Sequence, residues 1–334
     1  MTRALVTGAT GLLGSHLVER LLAAGVEVRA FVRPGSDTCH LHALPVEIVC
    51  GTATNHEDLH RALAGCRWVF HAAAHLTVAS PFNQDQEFDR LKRSNVDLTA
   101  ALLRAGQETG TTRFVYVSST SVYSPDAPSP VAEDMPLNPS SGYGRSKVLA
   151  EERVRAYQEQ GLASTIVRPG IMYGPRDRHF TPALVSLARL PVLPLPNGGR
   201  SRYDLVHVSD VVELIWQASQ SATSIGKVYN AASGAPLSLR EIVESIRDVI
   251  GRAPRTLSLP SGALRHCPRL MRWYLEHYAP DAAGIATPLG AAYLSRDVYY
   301  DISRAKADLH YTPQFSFREG LELALADLPA RPPG

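Results

Sequence analysis

Eleven residues near the amino terminus, Ala4-Leu5-Val6-Thr7-Gly8-Ala9-Thr10-Gly11-Leu12-Leu13-Gly14, constrain the fold more than any other stretch. An apolar run leads into three glycines spaced three apart, and Leu13, Leu17 and Leu21 then repeat at helical spacing. The pattern predicts a strand, a tight turn and a helix in immediate succession. Gly8 is expected to adopt a backbone conformation closed to other residues, Gly11 to let the main chain approach a pyrophosphate, and Gly14 to let helix and strand pack closely. The helix amino terminus would then face the phosphates with free N–H groups and a partial positive charge. Glycines also mark ordinary turns, so it is the flanking strand and helix that make the triplet read as a dinucleotide site.

The remaining strands follow in order. Glu27 to Val32, Val46 to Cys50, Arg67 to Ala72 and Phe114 to Val117 read as strands separated by helical patterns, which predicts an α/β fold with a doubly wound parallel sheet. Such a sheet binds ligands at the carboxyl ends of its strands. Candidate cofactor contacts are therefore Gly8, Thr10, Gly11, Leu12, Leu13 and Gly14 in the turn, Ala72, Ala73 and Ala74 after the fourth strand, and Val117 at the end of the fifth. His71 reads as a structural histidine, and the helical region from about Gln84 to Glu108 carries Asn95. At the end of the second strand, where a carboxylate would favour NAD, the chain has Val32 and Arg33. Arg33 either pairs with the 2′-phosphate of NADP or is a solvated loop arginine; NADP is favoured on this ground, with NAD as the alternative.

Composition sets outer bounds. With 34 basic and 32 acidic residues among 334, the net charge of +2 gives no broad footprint for nucleic acid. Cys39, Cys50, Cys66 and Cys267 show no metal-binding spacing and sit mostly among apolar residues, so buried thiols in a reducing compartment are expected, with neither zinc nor disulfides. No apolar run approaches the ~20 residues that span a bilayer, and a cytoplasmic protein is expected.

Tyr143-Gly-Arg-Ser-Lys147 opens a helix that continues through Arg155, and its spacing puts Tyr143 and Lys147 on one face. An ammonium group beside a phenol favours phenolate and brings the tyrosine nearer a usable acid or base, while Ser119 could hydrogen-bond the same substrate oxygen. Alone, this pair would be an ordinary exposed helix pair.

Taken together, the glycine turn, Ser119 after the fifth strand, Tyr143 with Lys147, and Val167-Arg168-Pro169-Gly170-Ile171-Met172-Tyr173-Gly174-Pro175 resemble the extended short-chain dehydrogenase/reductase superfamily over nearly the whole chain. The resemblance implies Ser119, Tyr143 and Lys147 as the catalytic trio, and the backbone of Pro169, Gly170 and Ile171 as a contact of the nicotinamide carboxamide. It also implies a dinucleotide domain over 1–170 completed by about 208–232, a mostly helical substrate cap from 171–207 and 233–330, and a homodimer. One departure is Gly51-Thr52-Ala53, where many members have Gly-Asp-Leu, so the aspartate that would hold the adenine amino group is missing.

The substrate is read from the cap. Nucleotide-sugar enzymes of this superfamily commonly carry an arginine where this chain has Tyr203, and Arg202 beside it should point to the opposite face. Pro175 to Ala188 and Tyr299 to Pro313 look like the 3β-hydroxysteroid dehydrogenase and sterol-4-carboxylate 3-dehydrogenase branch. The stretch 264–275 is either an amphipathic lid touching an oily substrate or a membrane, or a cap helix packed on the core. His75, Thr120, Tyr173, Tyr203, Met271 and Tyr274 are candidate substrate contacts. The expected activity is NAD(P)-dependent interconversion of a secondary alcohol and a ketone on a bulky apolar substrate. The alternatives are a nucleotide-sugar epimerase or dehydratase, and a dinucleotide-sensing protein without turnover.

Overall fold

Seven strands form one parallel sheet in the order Val228–Ala231, β6 (Ser164–Pro169), β5 (Arg113–Val117), β4 (Trp68–His71), β1 (Arg3–Thr7), β2 (Glu27–Val32) and β3 (Val46–Cys50). The computed structural model describes residues 2–76, 84–260, 268–285 and 293–328. Every residue of β5 and β6 is buried, as expected for parallel strands covered by helices on both faces. The chain leaves β1 toward β2 and β3 on one side and returns through β4 on the other. This reversal opens a crevice at the carboxyl ends of β1 and β4, beside β5 and β6.

Helix α1 (Leu12–Ala23) buries Leu13, Leu17 and Leu21 and ends at Gly25, whose φ of 75° reverses the chain into β2. The helical region expected as one element over 84–108 is broken in three: α-helix Gln84–Leu91, a π-helical turn Lys92–Asp97 and α-helix Leu98–Glu108. The wider turn adds a residue without ending the helix and turns Asn95 into the protein.

Beyond β6, the proline-rich stretch 180–196 holds both a helix, Phe180–Ala188, and a strand, Val192–Pro196. Pro182 lies in the first helical turn, where its missing N–H costs no helix bond, and Pro194 and Pro196 belong to an isolated two-stranded pair with Arg255–Leu259. Helix Leu239–Ile250 has a reciprocal cap between Ser238 and Glu241 and stops at Gly251, φ 73°. Its Ile242 and Ile246 pack with Tyr173, Tyr203, Leu205, Phe317 and Leu321 in a cap core separate from the sheet. The cysteines differ from expectation: Cys66 is buried, but Cys39, which opens the short helix Cys39–His42, and Cys50, which ends the edge strand β3, are exposed. Cys267 lies outside the described residues. No helix among the described residues is long and apolar enough to cross a membrane.

Candidate active site

A cleft of about 1070 Å³ lies over the carboxyl ends of the central strands. Its floor is the turn between β1 and α1. Gly8 has φ 75°, and a Cβ there would lie 2.7 Å from the Ala73 backbone nitrogen. A Cβ on Gly14 would lie 2.0 Å from the Gly8 carbonyl oxygen, so helix and strand can approach this closely only at glycine. No side chain caps the start of α1 and its first turn holds no acidic residue, which leaves the first N–H groups free to receive a phosphate. Gly8, Thr10, Gly11, Leu12, Leu13, Gly14, Ala72, Ala74, Val117, Pro169, Gly170 and Ile171 all face the cleft, while Ala73 backs Gly8 from behind.

The strand ends are pinned from below. His71 is fully buried, its Nδ1 2.7 Å from Thr7 Oγ1 and its Nε2 2.8 Å from Thr99 Oγ1. Burial, with a smaller contribution from Lys147, holds its pKa down at about 3, so the ring is a neutral strut. Thr7 Oγ1 also accepts from the Ala73 N–H at 3.3 Å.

Ser119, Tyr143 and Lys147 share one wall of the cleft. Helix Gly142–Glu159 starts at Ser141, whose hydroxyl accepts from the Gly144 N–H at 3.0 Å. A Cβ on Gly144 would be 2.2 Å from the Ser121 carbonyl oxygen, so this helix start is pressed onto the loop that carries Ser119. Lys147 donates from Nζ to the Val117 carbonyl at 2.8 Å, and Nζ lies 4.9 Å from the centre of the Tyr116 ring and 5.9 Å from that of Tyr143. Ser119 Oγ donates to Ser121 Oγ at 3.1 Å and accepts from the Ser121 N–H at 3.1 Å.

The electrostatics depart from the expected phenolate. Burial raises the Tyr143 phenol to about 12, with the Ser119 hydroxyl pulling the other way. Burial lowers the Lys147 amine to about 7, against the attraction of Glu151. Desolvation outweighs the charge effect because the lysine carries little charge to exert once it is buried. In this state the site holds a neutral phenol, which can donate a proton, beside an amine titrating near neutrality.

Beneath the wall, the Glu151 carboxylate accepts from Arg168 Nε at 2.8 Å, from its Nη2 at 2.6 Å and from Ser118 Oγ at 2.6 Å, all buried. Arg168 also donates to the Tyr123 hydroxyl at 2.9 Å and to the Glu133 carbonyl at 3.1 Å. This network ties β5, β6 and the Tyr143 helix into one body. Asn95 was singled out only as lying on a helix. Its amide accepts from the His75 N–H at 2.7 Å and donates to the His75 carbonyl at 3.1 Å and to Ser146 Oγ at 2.9 Å. It thereby clamps the segment after β4 to the Tyr143 helix. The π-helical turn that aims it leaves no spacing signal in the sequence.

The candidate substrate residues scatter. Tyr173 is fully buried against His207 and Phe317 and its hydroxyl donates to the Ser316 carbonyl, so it belongs to the cap core. Tyr203 is buried there too and donates to the Tyr293 carbonyl at 3.2 Å. Met271 and Tyr274 pack with Leu190 and Leu275, and the Tyr274 hydroxyl donates to the Val192 carbonyl at 2.7 Å. Thr120 is buried in a short 3₁₀ turn, and His75 is held by its backbone; neither lines the cleft. The hydroxyls of Tyr173, Tyr203 and Tyr274 thus each find a backbone carbonyl away from the open cleft. Of the stretch 264–275, the described part begins a helix, Pro268–Tyr278, with Leu275 buried and Leu270 and Trp273 more than half exposed.

Residues not singled out form the outer wall: Met172, Phe180, Pro182, Val185, Leu325 and Leu328. Among them run Arg176, Arg178 and Arg189. Arg176 is engaged, pairing both terminal nitrogens with Glu19 of α1 at 2.7 and 2.9 Å. Arg33 is exposed at the end of β2 and close enough to His75 to lower its pKa. At Gly51-Thr52, the Thr52 N–H is taken by Asp58 at 2.9 Å.

A phosphate-ready glycine turn, a switch-point crevice and a Tyr–Lys–Ser wall define an extended short-chain dehydrogenase/reductase, an NAD(P)-dependent enzyme acting on CH–OH groups. The chain belongs to the NAD dependent epimerase/dehydratase family, whose model matches residues 4–232. It is 30% identical over 323 residues to the 4-hydroxy-2-methyl-3-oxo-4-farnesyl-3,4-dihydroquinoline-1-oxide ketoreductase of Stigmatella aurantiaca, covering 96% of this chain and 95% of that one. It is 30% identical over 331 residues to a 3-beta-hydroxysteroid dehydrogenase of Mycolicibacterium neoaurum, covering 96% and 89%. Among solved structures, MoeE5 in complex with UDP-glucose and NAD matches with a TM-score of 0.73 at 26% identity, covering 97% of each chain.

Proposed function

We propose that the chain interconverts a secondary alcohol and a ketone on a bulky, largely apolar substrate, using NADP in preference to NAD. The observation that carries this reading is the fate of position 203. Tyr203 is sealed in the cap core, and Arg202, its neighbour, is turned outward to donate to the Pro236 carbonyl at 3.0 Å. Neither supplies the diphosphate anchor of a nucleotide-sugar enzyme, and the outer part of the cleft is lined by Ile171, Met172, Phe180, Val185 and Leu325, with Arg178 and Arg189 among them. The likeness to a ketoreductase of a farnesyl dihydroquinoline oxide and to a 3-beta-hydroxysteroid dehydrogenase supports the same substrate class.

The chain's own groups divide the work. The glycine turn and the start of α1 hold the pyrophosphate, Arg33 the 2′-phosphate, and Lys147, whose Nζ also donates to Val117, the nicotinamide ribose. When bound, the nicotinamide supplies or takes up the hydride. Ser119 Oγ orients the substrate oxygen. Tyr143, a phenol at neutral pH, gives that oxygen its proton in reduction and is left as phenolate; oxidation is the reverse step, in which that phenolate takes the alcohol proton.

The test is turnover of NADPH and NADH by purified protein against a panel of steroid and polycyclic ketones, run beside UDP-glucose and UDP-glucuronic acid. Net oxidation of NADPH with an apolar ketone is expected. Interconversion of UDP-sugars with no net change in nicotinamide absorbance would replace this reading with the epimerase one.

A further inference from the structure

Outside the cleft, one cluster of side chains converges without a role in the reaction. Helix His56–Leu63 begins after Asn55, whose side chain accepts from the Glu57 N–H at 2.9 Å. His56 and His60 lie one turn apart on this helix, so their rings project from one face, with centroids 4.1 Å apart. That face meets the last turn of helix Leu98–Glu108. Glu108 Oε2 lies 3.0 Å from His56 Nε2 and 2.7 Å from His60 Nε2. All three ligand atoms lie within 4.8 Å of one another.

We propose that His56, His60 and Glu108 bind a divalent transition-metal ion of the zinc type, which joins the two helices. Zinc bonds nitrogen and oxygen at about 2.0–2.2 Å, so two donors on a tetrahedral ion stand about 3.3 Å apart. The two Glu108 contacts have to open by a few tenths of an ångström and the two histidine nitrogens, within 4.8 Å of each other, have to settle at that spacing, and the half-exposed side chains are free to make the change. Two imidazoles with one carboxylate select zinc, copper or nickel over magnesium or calcium, which prefer oxygen donors. Water reaches the exposed side of the cluster and completes the coordination. None of the three residues lines the cleft, so the ion acts on stability and leaves the hydride chemistry alone.

Two of the three ligands show in the sequence. His56-x-x-x-His60 has metal-ligand spacing, but the third ligand lies 48 residues further on and is brought in by helix packing. The test uses the full chain, free of any affinity tag and stripped with chelator, titrated calorimetrically with zinc chloride and melted with and without it. One zinc per chain is expected, with a raised melting temperature, because the ion binds the folded state only. His60→Ala and Glu108→Gln should each weaken zinc by about tenfold or more and abolish the shift while leaving ketone reduction unchanged. A Cys39→Ser/Cys50→Ser variant controls for the exposed thiols and should bind as the parent does. Equal zinc affinity in His60→Ala, loss of binding in the cysteine variant, or no heat of binding in the micromolar range would each overturn the site.

Discussion

The Lys147 amine donates to the Val117 carbonyl oxygen at 2.8 Å, and both residues are buried. This bond fixes the lysine at the strand end but does not charge it, and burial lowers its pKa from 10.5 to about 7. The folded state thus binds this proton less readily than the unfolded chain. Between about 7 and 10.5 the unfolded state holds more protons, so the lysine's contribution to stability rises with pH across that window and is at its lowest below it. Lys147→Met should stabilise the protein near neutrality by on the order of 2 kcal/mol, and the gain should shrink toward pH 10. Urea midpoints of both proteins across that range check the sign. The same variant should lose nearly all ketone reduction.

Gly14 and Gly11 differ in what their hydrogen atoms make room for. A Cβ at position 14 meets the Gly8 carbonyl at 2.0 Å, whereas one at position 11 meets it only at 3.4 Å. Gly14→Ala should therefore cost about 2–4 kcal/mol of folding stability, seen as a lowered melting temperature. Gly11→Ala should melt like the parent and instead weaken dinucleotide binding, measured by fluorescence titration.

Arg33 stands exposed at the end of β2, beyond the turn that would hold the pyrophosphate. Arg33→Asp should lower the NADP:NAD ratio of kcat/KM by about tenfold or more, near 1.4 kcal/mol. Steady-state kinetics with both cofactors measure it, and an unchanged ratio would make Arg33 a plain surface residue.

The Arg168–Glu151 pair is sealed from water under the Tyr143 helix, each side chain 1% exposed. Arg168→Met alone strands a buried carboxylate and should cost about 3–5 kcal/mol. Adding Glu151→Leu should recover part of that loss. Equilibrium unfolding of the two single variants and the double variant gives the coupling.

Much of the architecture was legible because it rests on local rules. The glycine turn with Leu13, Leu17 and Leu21 announced β1 and α1, and the apolar run Phe114 to Val117 announced β5. Tyr143 and Lys147 four apart had to share a helix face wherever that helix lay. Long-range packing was not legible. Tyr173 and Tyr203 could be placed near the cleft along the chain, but which way each hydroxyl turned depended on the carbonyls of Ser316 and Tyr293, far off in sequence. Asn95 was hidden by a single extra residue in a helical turn, and Arg168 was only one letter of the Val167–Pro175 motif until Glu151 met it from the Tyr143 helix. The reversal of the Tyr143 shift has the same origin, since desolvation is a property of everything packed around a group.

The last strand of the sheet, Val228–Ala231, pairs with β6 only after the cap segment between them has been made. A chain emerging from the ribosome therefore presents β6, buried at every residue in the finished protein, with one flank unpaired while much of the polypeptide is still to come. Such an edge is a template for pairing with another nascent copy. Its protection during synthesis falls to helix packing or to chaperones, and truncations ending before Val228 should accumulate as aggregates rather than as a working nucleotide-binding half.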